Sequence, residues 1–279
     1  MYDRSRDRVP LWLRISIGAL LVIAVFLAML PFLYMVSLSL QSDADLFSGE
    51  VVVIPEQPQW LNYITIWEEA PFARFILNSF VIAGAISFLH VVFDPLIGYV
   101  FAKMQFPGRR IMFAALLSTL MLPFFIRLVP LYILTAEVGL LNTYTGLILP
   151  FAMSGFGIFL MRQFILPIPD DLLDAARVDG GGELRVFWDI VLPQLYPAIA
   201  TLALLTFVFQ FNEFLWPLVV VSSEQMRPIT TGLTLFNQEY FTRWNLTAVG
   251  GMLMFIPCLL LFLFAQRFFI RSVMLSGMK

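Results

Sequence analysis

The side chains capable of chemistry fall into a few small groups. His90 and Asp94 stand four apart, on one face of any helix that holds them, and could pair with each other or relay a proton. Arg127 is a lone cation in an apolar stretch; it could meet an anionic or hydroxylated ligand, or anchor a neighbouring helix. Gln210, Asn212, Glu213 and Trp216 cluster within seven residues. Amides and carboxylates bind sugar hydroxyls and an indole face stacks on a sugar ring, although Glu213 could instead satisfy backbone groups. The densest group is the stretch "DAARVDGGGELRVFWDIVLP" at 174–193: from Asp170 to Asp189 eight of twenty side chains are charged, and Gly180, Gly181 and Gly182 stand in a row. One cysteine, Cys258, excludes an internal disulfide and a cysteine metal cage, and one histidine leaves little room for a histidine metal site. No Gly-Lys-Ser/Thr is present, so the chain has no P-loop. No catalytic residue and no metal ligand is assigned.

These groups are carried by elements built for lipid. The 279 residues are 60% hydrophobic and 13% charged, about half the charge of an ordinary soluble domain, with a mean hydropathy of +0.86. Apolar runs long enough to cross a bilayer lie at about 11–38, 75–101, 111–134, 145–166, 196–221 and 246–270. The expectation is an all-α integral membrane protein of six transmembrane helices in a single domain over 1–279. The first run is too long for the apolar region of a signal peptide and reads as a retained span. Prolines 95, 123, 130, 217 and 257 interrupt the spans, where each removes a backbone hydrogen bond.

Of 17 Lys and Arg, a cytoplasmic N-terminus puts thirteen inside: Arg4, Arg6, Arg8, Arg14, Lys103, Arg109, Arg110, Arg162, Arg177, Arg185, Arg267, Arg271 and Lys279. Arg74, Arg227 and Arg243 fall outside, and Arg127 within a span. The bias orients both termini to the cytoplasm. Outside, residues 39–74 form an acidic loop (Asp43, Asp45, Glu50, Glu56, Glu68, Glu69). Residues 222–244 form an aromatic one (Phe236, Tyr240, Phe241, Trp244), either a docking surface for an external protein or a solvated connector.

The charged stretch lies in the cytoplasmic segment between spans four and five, about 167–195. It reads as a helix over 170–178 with Asp170 and Asp171 capping its start, a glycine stop, and a second helix over 183–192 that Pro193 ends or bends. Leu184, Phe187, Trp188 and Val191 recur at helical spacing and form one apolar stripe, of which Leu184, Phe187 and Trp188 are expected to pack the loop on its own spans. Six acidic groups against two arginines exclude nucleic acid.

This stretch resembles the EAA loop of bacterial ABC importer permeases. Asp174-Ala175-Ala176, Gly180, Ile190 and Leu192-Pro193 stand at the family's spacing, with Asp174 where the family has glutamate. "GLLNTYTGLILP" (139–150) and "FNEFLWPLVVVSSEQMRPITTGL" (211–233) resemble sugar-importer permeases related to the smaller permease subunit of the maltose transporter. The resemblance implies a coupling helix seated in a cleft of an ATPase subunit, with Asp174, Ala175, Ala176, Asp179 and Gly180 docking and Leu184, Phe187, Trp188, Ile190, Leu192 and Pro193 packing. It implies a second permease, two ATPase subunits and an extracytoplasmic solute-binding protein touching 222–244. ATP and Mg would be held by the ATPase subunits and no cofactor by this chain. Arg127, Gln210, Asn212, Glu213 and Trp216 are the candidates for a translocation path. The competing expectation is a proton-coupled secondary transporter using His90 and Asp94. An intramembrane enzyme would need a catalytic pair that Asp94 alone does not supply.

Overall fold

The computed structural model describes residues 10–49, 51–236 and 242–277, with side chains as far as Phe264. Arg4, Arg6, Arg8, Glu50, Tyr240, Phe241, Lys279 and the side chains of Arg267 and Arg271 lie outside the described residues.

The described chain is helical. In order it forms α1 (Leu11–Ser39), α2 (Asp43–Phe47), α3 (Asn62–Glu69), α4 (Phe72–Lys103), α5 (Arg109–Met121), α6 (Phe124–Glu137), α7 (Tyr144–Ile148) and α8 (Gly155–Ile165). Then come α9 (Asp170–Val178), α10 (Glu183–Val186), α11 (Leu192–Phe211), α12 (Leu215–Val220), α13 (Ile229–Gly232) and α14 (Trp244–Gly277). Leu11–Ser39, Phe72–Lys103, Glu183–Phe211 and Trp244–Phe264 are each long and apolar enough to cross a membrane. The remaining two spans are broken pairs: α5 and α6 meet at 104°, and α7 with its 3-10 extension meets α8 at 43°.

The breaks have local causes. Pro123 is the N-cap of α6, and the residue before a proline is pushed out of the helical region, so the run expected at 111–134 turns at Leu122-Pro123. Asn212 ends α11, so the run expected at 196–221 stops there and resumes as α12. Pro193 neither ends nor separates the helix that begins at Glu183. A π turn over Phe187–Val191 precedes it, and the widened turn absorbs the bond that proline cannot make.

The chain divides into two compact units. In the first, the expected acidic loop is folded: Ser42 and Asp45 form a capping box on α2, and Asn62 Nδ2 donates to Ser39 O (3.0 Å) and Gln41 O (3.1 Å). Arg243 pairs with Glu69, and Asn245 Nδ2 donates to Asp43 Oδ1 at 3.0 Å, so the two expected loops meet here. Phe236, expected in a docking surface or a solvated connector, is buried, whereas Trp244 is exposed.

In the second unit, α4 packs along both α8 and α11. Close approach needs small residues: a Cβ on Gly98 would come within 2.9 Å of Met161 Cβ, and one on Gly157 within 1.8 Å of Asp94 Oδ2. Gly157→Ala is therefore expected to lower the melting temperature in detergent through an overpacking cost of about 1–3 kcal/mol. Gly84→Ala, with open space at its Cβ, should not. Equal melting temperatures for the two variants would contradict this packing.

Candidate functional site

The charged stretch is held at the end of α4. The Lys103 side chain is only 6% exposed, and its ammonium donates to Leu166 O (3.2 Å), to Ile168 O and to Asp170 Oδ1 (2.8 Å). Asp170 and Asp171 stand in the first turn of α9 as expected, but the N-cap is Pro169 with no side-chain cap hydrogen bond, and Asp170 serves as a counter-charge to Lys103. The Lys103 ammonium holds the Asp170 carboxyl below the usual carboxylate range. One turn earlier on α4, buried Tyr99 donates from its hydroxyl to Glu183 Oε2 at 2.6 Å. Glu183 accepts from Arg177 Nε at 2.8 Å, and Arg177 also binds Asp174. These two carboxylates, Glu183 first, hold the guanidinium more firmly protonated than usual. Tyr99, Glu183, Arg177 and Asp174 therefore form one chain of contacts from the membrane helix to the loop. Tyr99, Glu183 and Lys103 carry no signal in the motif; only folding reveals their part.

The turn is a helix stop followed by a tight return. Gly180 has φ +83°, and its amide donates to Arg177 O at 3.0 Å; the Gly181 amide donates to Ala176 O at 2.9 Å. Beneath the turn, Leu173, Val186, Phe187, Val191 and Leu195 are buried against Tyr99, Met161 and Ile165. The stripe expected from spacing is thus partly displaced. Phe187 packs, but Leu184 is 70% and Trp188 54% exposed, because the buried face follows Val186, Phe187 and Val191 through the π turn. Ile190 and Leu192 are half-buried and Pro193 exposed. Of the residues expected to dock, Asp174, Ala175, Asp179 and Gly180 are exposed and Ala176 is half-buried.

His90 and Asp94 lie in the core. His90 Nδ1 is 2.8 Å from Asp94 Oδ2, at ion-pair distance but without hydrogen-bond alignment. His90 Nε2 meets Phe151 O at 2.8 Å, and the Ser154 amide reaches Asp94 Oδ1 at 3.5 Å. The pair closes the bend between α7 and α8.

The cluster at 210–216 is a second helix break. Glu213 Oε1 accepts from the amides of Leu215 (2.9 Å) and Trp216 (3.2 Å), the N-terminal amides of α12. Asn212 Nδ2 donates to Val208 O at 2.7 Å. Trp216 is buried, with its indole donating to Gly146 O at 3.1 Å, so it offers no face for stacking a sugar. Gln210, Glu213 and Trp216 share a cleft of only about 10 Å³. Arg127 differs: it lines an open pocket of about 570 Å³.

The family described as binding-protein-dependent transport system inner membrane component matches residues 95–275, which include the anchored loop, Arg127 and the cluster at 210–216. The chain belongs to that family. This permease is 36% identical over 263 residues to the sn-glycerol-3-phosphate transport system permease protein UgpE of Yersinia pestis bv. Antiqua (strain Antiqua), covering 91% of this chain and 93% of that one. It is 34% identical to the arabinooligosaccharides transport system permease protein AraQ of Halalkalibacterium halodurans, covering 99% of both. Its fold matches a chain of a bacterial ABC transporter involved in the import of alginate, with a TM-score of 0.80 at 24% identity, covering 96% of this chain and 99% of that one. The competing secondary-transporter reading draws no support from these relatives.

Glu183→Gln is expected to speed amide hydrogen exchange across 170–182, whereas Arg185→Gln, which breaks only an exposed pair, should not. Unchanged exchange in Glu183→Gln would contradict the anchoring. Asp170 has a depressed folded pKa, so its contribution is present above the unfolded value and is lost as pH falls through the folded one. Exchange at 168–178 should therefore rise in acid, and Asp170→Asn should show the raised exchange already at neutral pH.

Proposed function

We propose that this permease forms the translocation path of an ATP-driven importer for a sugar or related polar solute, together with a second permease. Two ATPase subunits would bind ATP and Mg, and an extracytoplasmic solute-binding protein would deliver the solute. The lysine and arginine bias supports a cytoplasmic position for both termini and for the α9–α10 turn. The names of the relatives, glycerol phosphate and arabinooligosaccharide permeases, support the solute class. A solved alginate transporter in complex with its alginate pentasaccharide-bound periplasmic protein has the same fold (TM-score 0.60, 20% identity) and supports the kind of external partner.

The observation that carries the reading is the exposed face of the anchored loop. Leu172, Val178, Leu184 and Trp188 are 46%, 87%, 70% and 54% exposed, beside Asp174, Ala175, Asp179 and Gly180. An apolar face with a charged rim, held to the membrane helices by Lys103 and Tyr99, suits the cleft of an ATPase subunit. Movement of that subunit would pull on α4 through Lys103 and Tyr99, and on α11 through the unbroken helix from Glu183.

Pulling down the chain from its native membrane in mild detergent is expected to recover a second permease and an ATPase. A chain that purifies alone and moves solute on a proton gradient would overturn the proposal. Gly180→Pro cannot adopt φ +83°, and Asp174→Arg reverses the charge beside Arg177. Both variants should insert normally, lose the ATPase from the pull-down, and lose at least about tenfold in uptake, the scale of a lost hot spot. Wild-type assembly and uptake in both would remove the docking assignment.

A further inference from the structure

The break between α5 and α6 does something that the other breaks do not: it leaves a cation facing open space. Arg127 is in the first turn of α6 and lines the pocket with Thr119, Phe124, Phe151, Met153 and Ser154. Among the described residues no side chain or carbonyl hydrogen-bonds the guanidinium, and no carboxylate pairs with it. It lies over the Phe124 ring, 5.9 Å from Cζ to centroid. The ionisable His90 and Asp94 are paired with each other, and Glu213 is bound to amides. An unpaired charge inside a membrane span is costly and calls for a counter-charge.

We infer that this pocket receives the anionic group of the transported solute, a phosphate or carboxylate on a sugar or polyol, with Arg127 as its counter-charge. The inference rests on the permease reading above and narrows its solute class. About 570 Å³ is within the range of small-molecule sites and too large for a lone ion. The hydroxyls are disposed to help. Ser154 Oγ accepts from the Gly157 amide at 2.9 Å, which leaves its own proton to donate to an anion. Thr119 Oγ1 donates to Leu116 O at 2.7 Å, which leaves lone pairs for a solute hydroxyl. Phe124 and Phe151 give apolar faces for the carbon skeleton, their centroids 5.9 Å apart. A planar guanidinium binds phosphate or carboxylate through two parallel hydrogen bonds, which an ammonium does not reproduce.

The test uses the whole complex, co-purified with its ATPase, second permease and binding protein, in proteoliposomes. Uptake of glycerol 3-phosphate, glucose 6-phosphate and glucuronate is compared with uptake of neutral arabinotriose. The wild type is expected to import at least one of the anionic solutes. Arg127→Gln should lower that uptake at least about tenfold, and Arg127→Lys should retain more of it. Equal uptake by Arg127→Gln and wild type overturns the inference. So does an assembled wild-type complex that imports none of the three anions. Loss of the second permease from the Arg127→Gln complex also overturns it, since Arg127 would then be pairing between subunits. The permease reading fails by a separate result: a wild-type chain that does not assemble with an ATPase.

Discussion

A helix broken inside a bilayer leaves amides and carbonyls with no water to bind, and this chain breaks its helices repeatedly. The breaks before α8 and before α12 are closed by side chains from the same compact unit. His90 reaches Phe151 O and Asp94 faces the Ser154 amide at the bend before α8. Ser154 Oγ takes the Gly157 amide one turn on. Glu213 takes two amides at the start of α12, and the Trp216 indole takes Gly146 O. The polar groups that look most like solute ligands in the apolar runs are largely occupied in this way. That need also explains the tight glycine at 157, since the Asp94 carboxylate fills the space where a Cβ would stand.

Arg127 stands apart because it closes nothing. The turn at Pro123 is opened by the proline itself, and the cation beside it is left facing a pocket. The same fold thus spends several of its buried polar side chains on backbone groups and leaves the Arg127 guanidinium available. In a transporter a site must bind and release, and a charge already neutralised within the chain could do neither for an anion.

The loop between α8 and α11 shows the opposite use of charge. Lys103, Tyr99, Glu183 and Arg177 bind the loop to the end of α4, and the apolar core under Phe187 and Val191 fills the space between. The unbroken helix from Glu183 to Phe211 then makes the loop and the fifth span one body. A push on the exposed face would travel along this helix and through the buried contacts beneath the loop. The first compact unit is tied separately, by Asn62, Asn245 and the Arg243–Glu69 pair.

By itself the sequence determined the class of the protein and its family. Apolar runs set the spans, lysine and arginine set the expected orientation, and the spacing from Asp174 to Pro193 carried the resemblance that the family match then supported. Gly180 was legible as a stop because only glycine takes its backbone angle freely. The tertiary structure alone decided which polar residues are spent and which are free. Helical spacing placed Leu184 and Trp188 on a buried stripe, but the buried face runs through Val186, Phe187 and Val191 and leaves both exposed. Composition grouped Trp216 with Arg127 as path candidates, yet one is sealed against Gly146 and the other lines a pocket. Those outcomes depend on partners far away in sequence, brought close only when the broken helices pack.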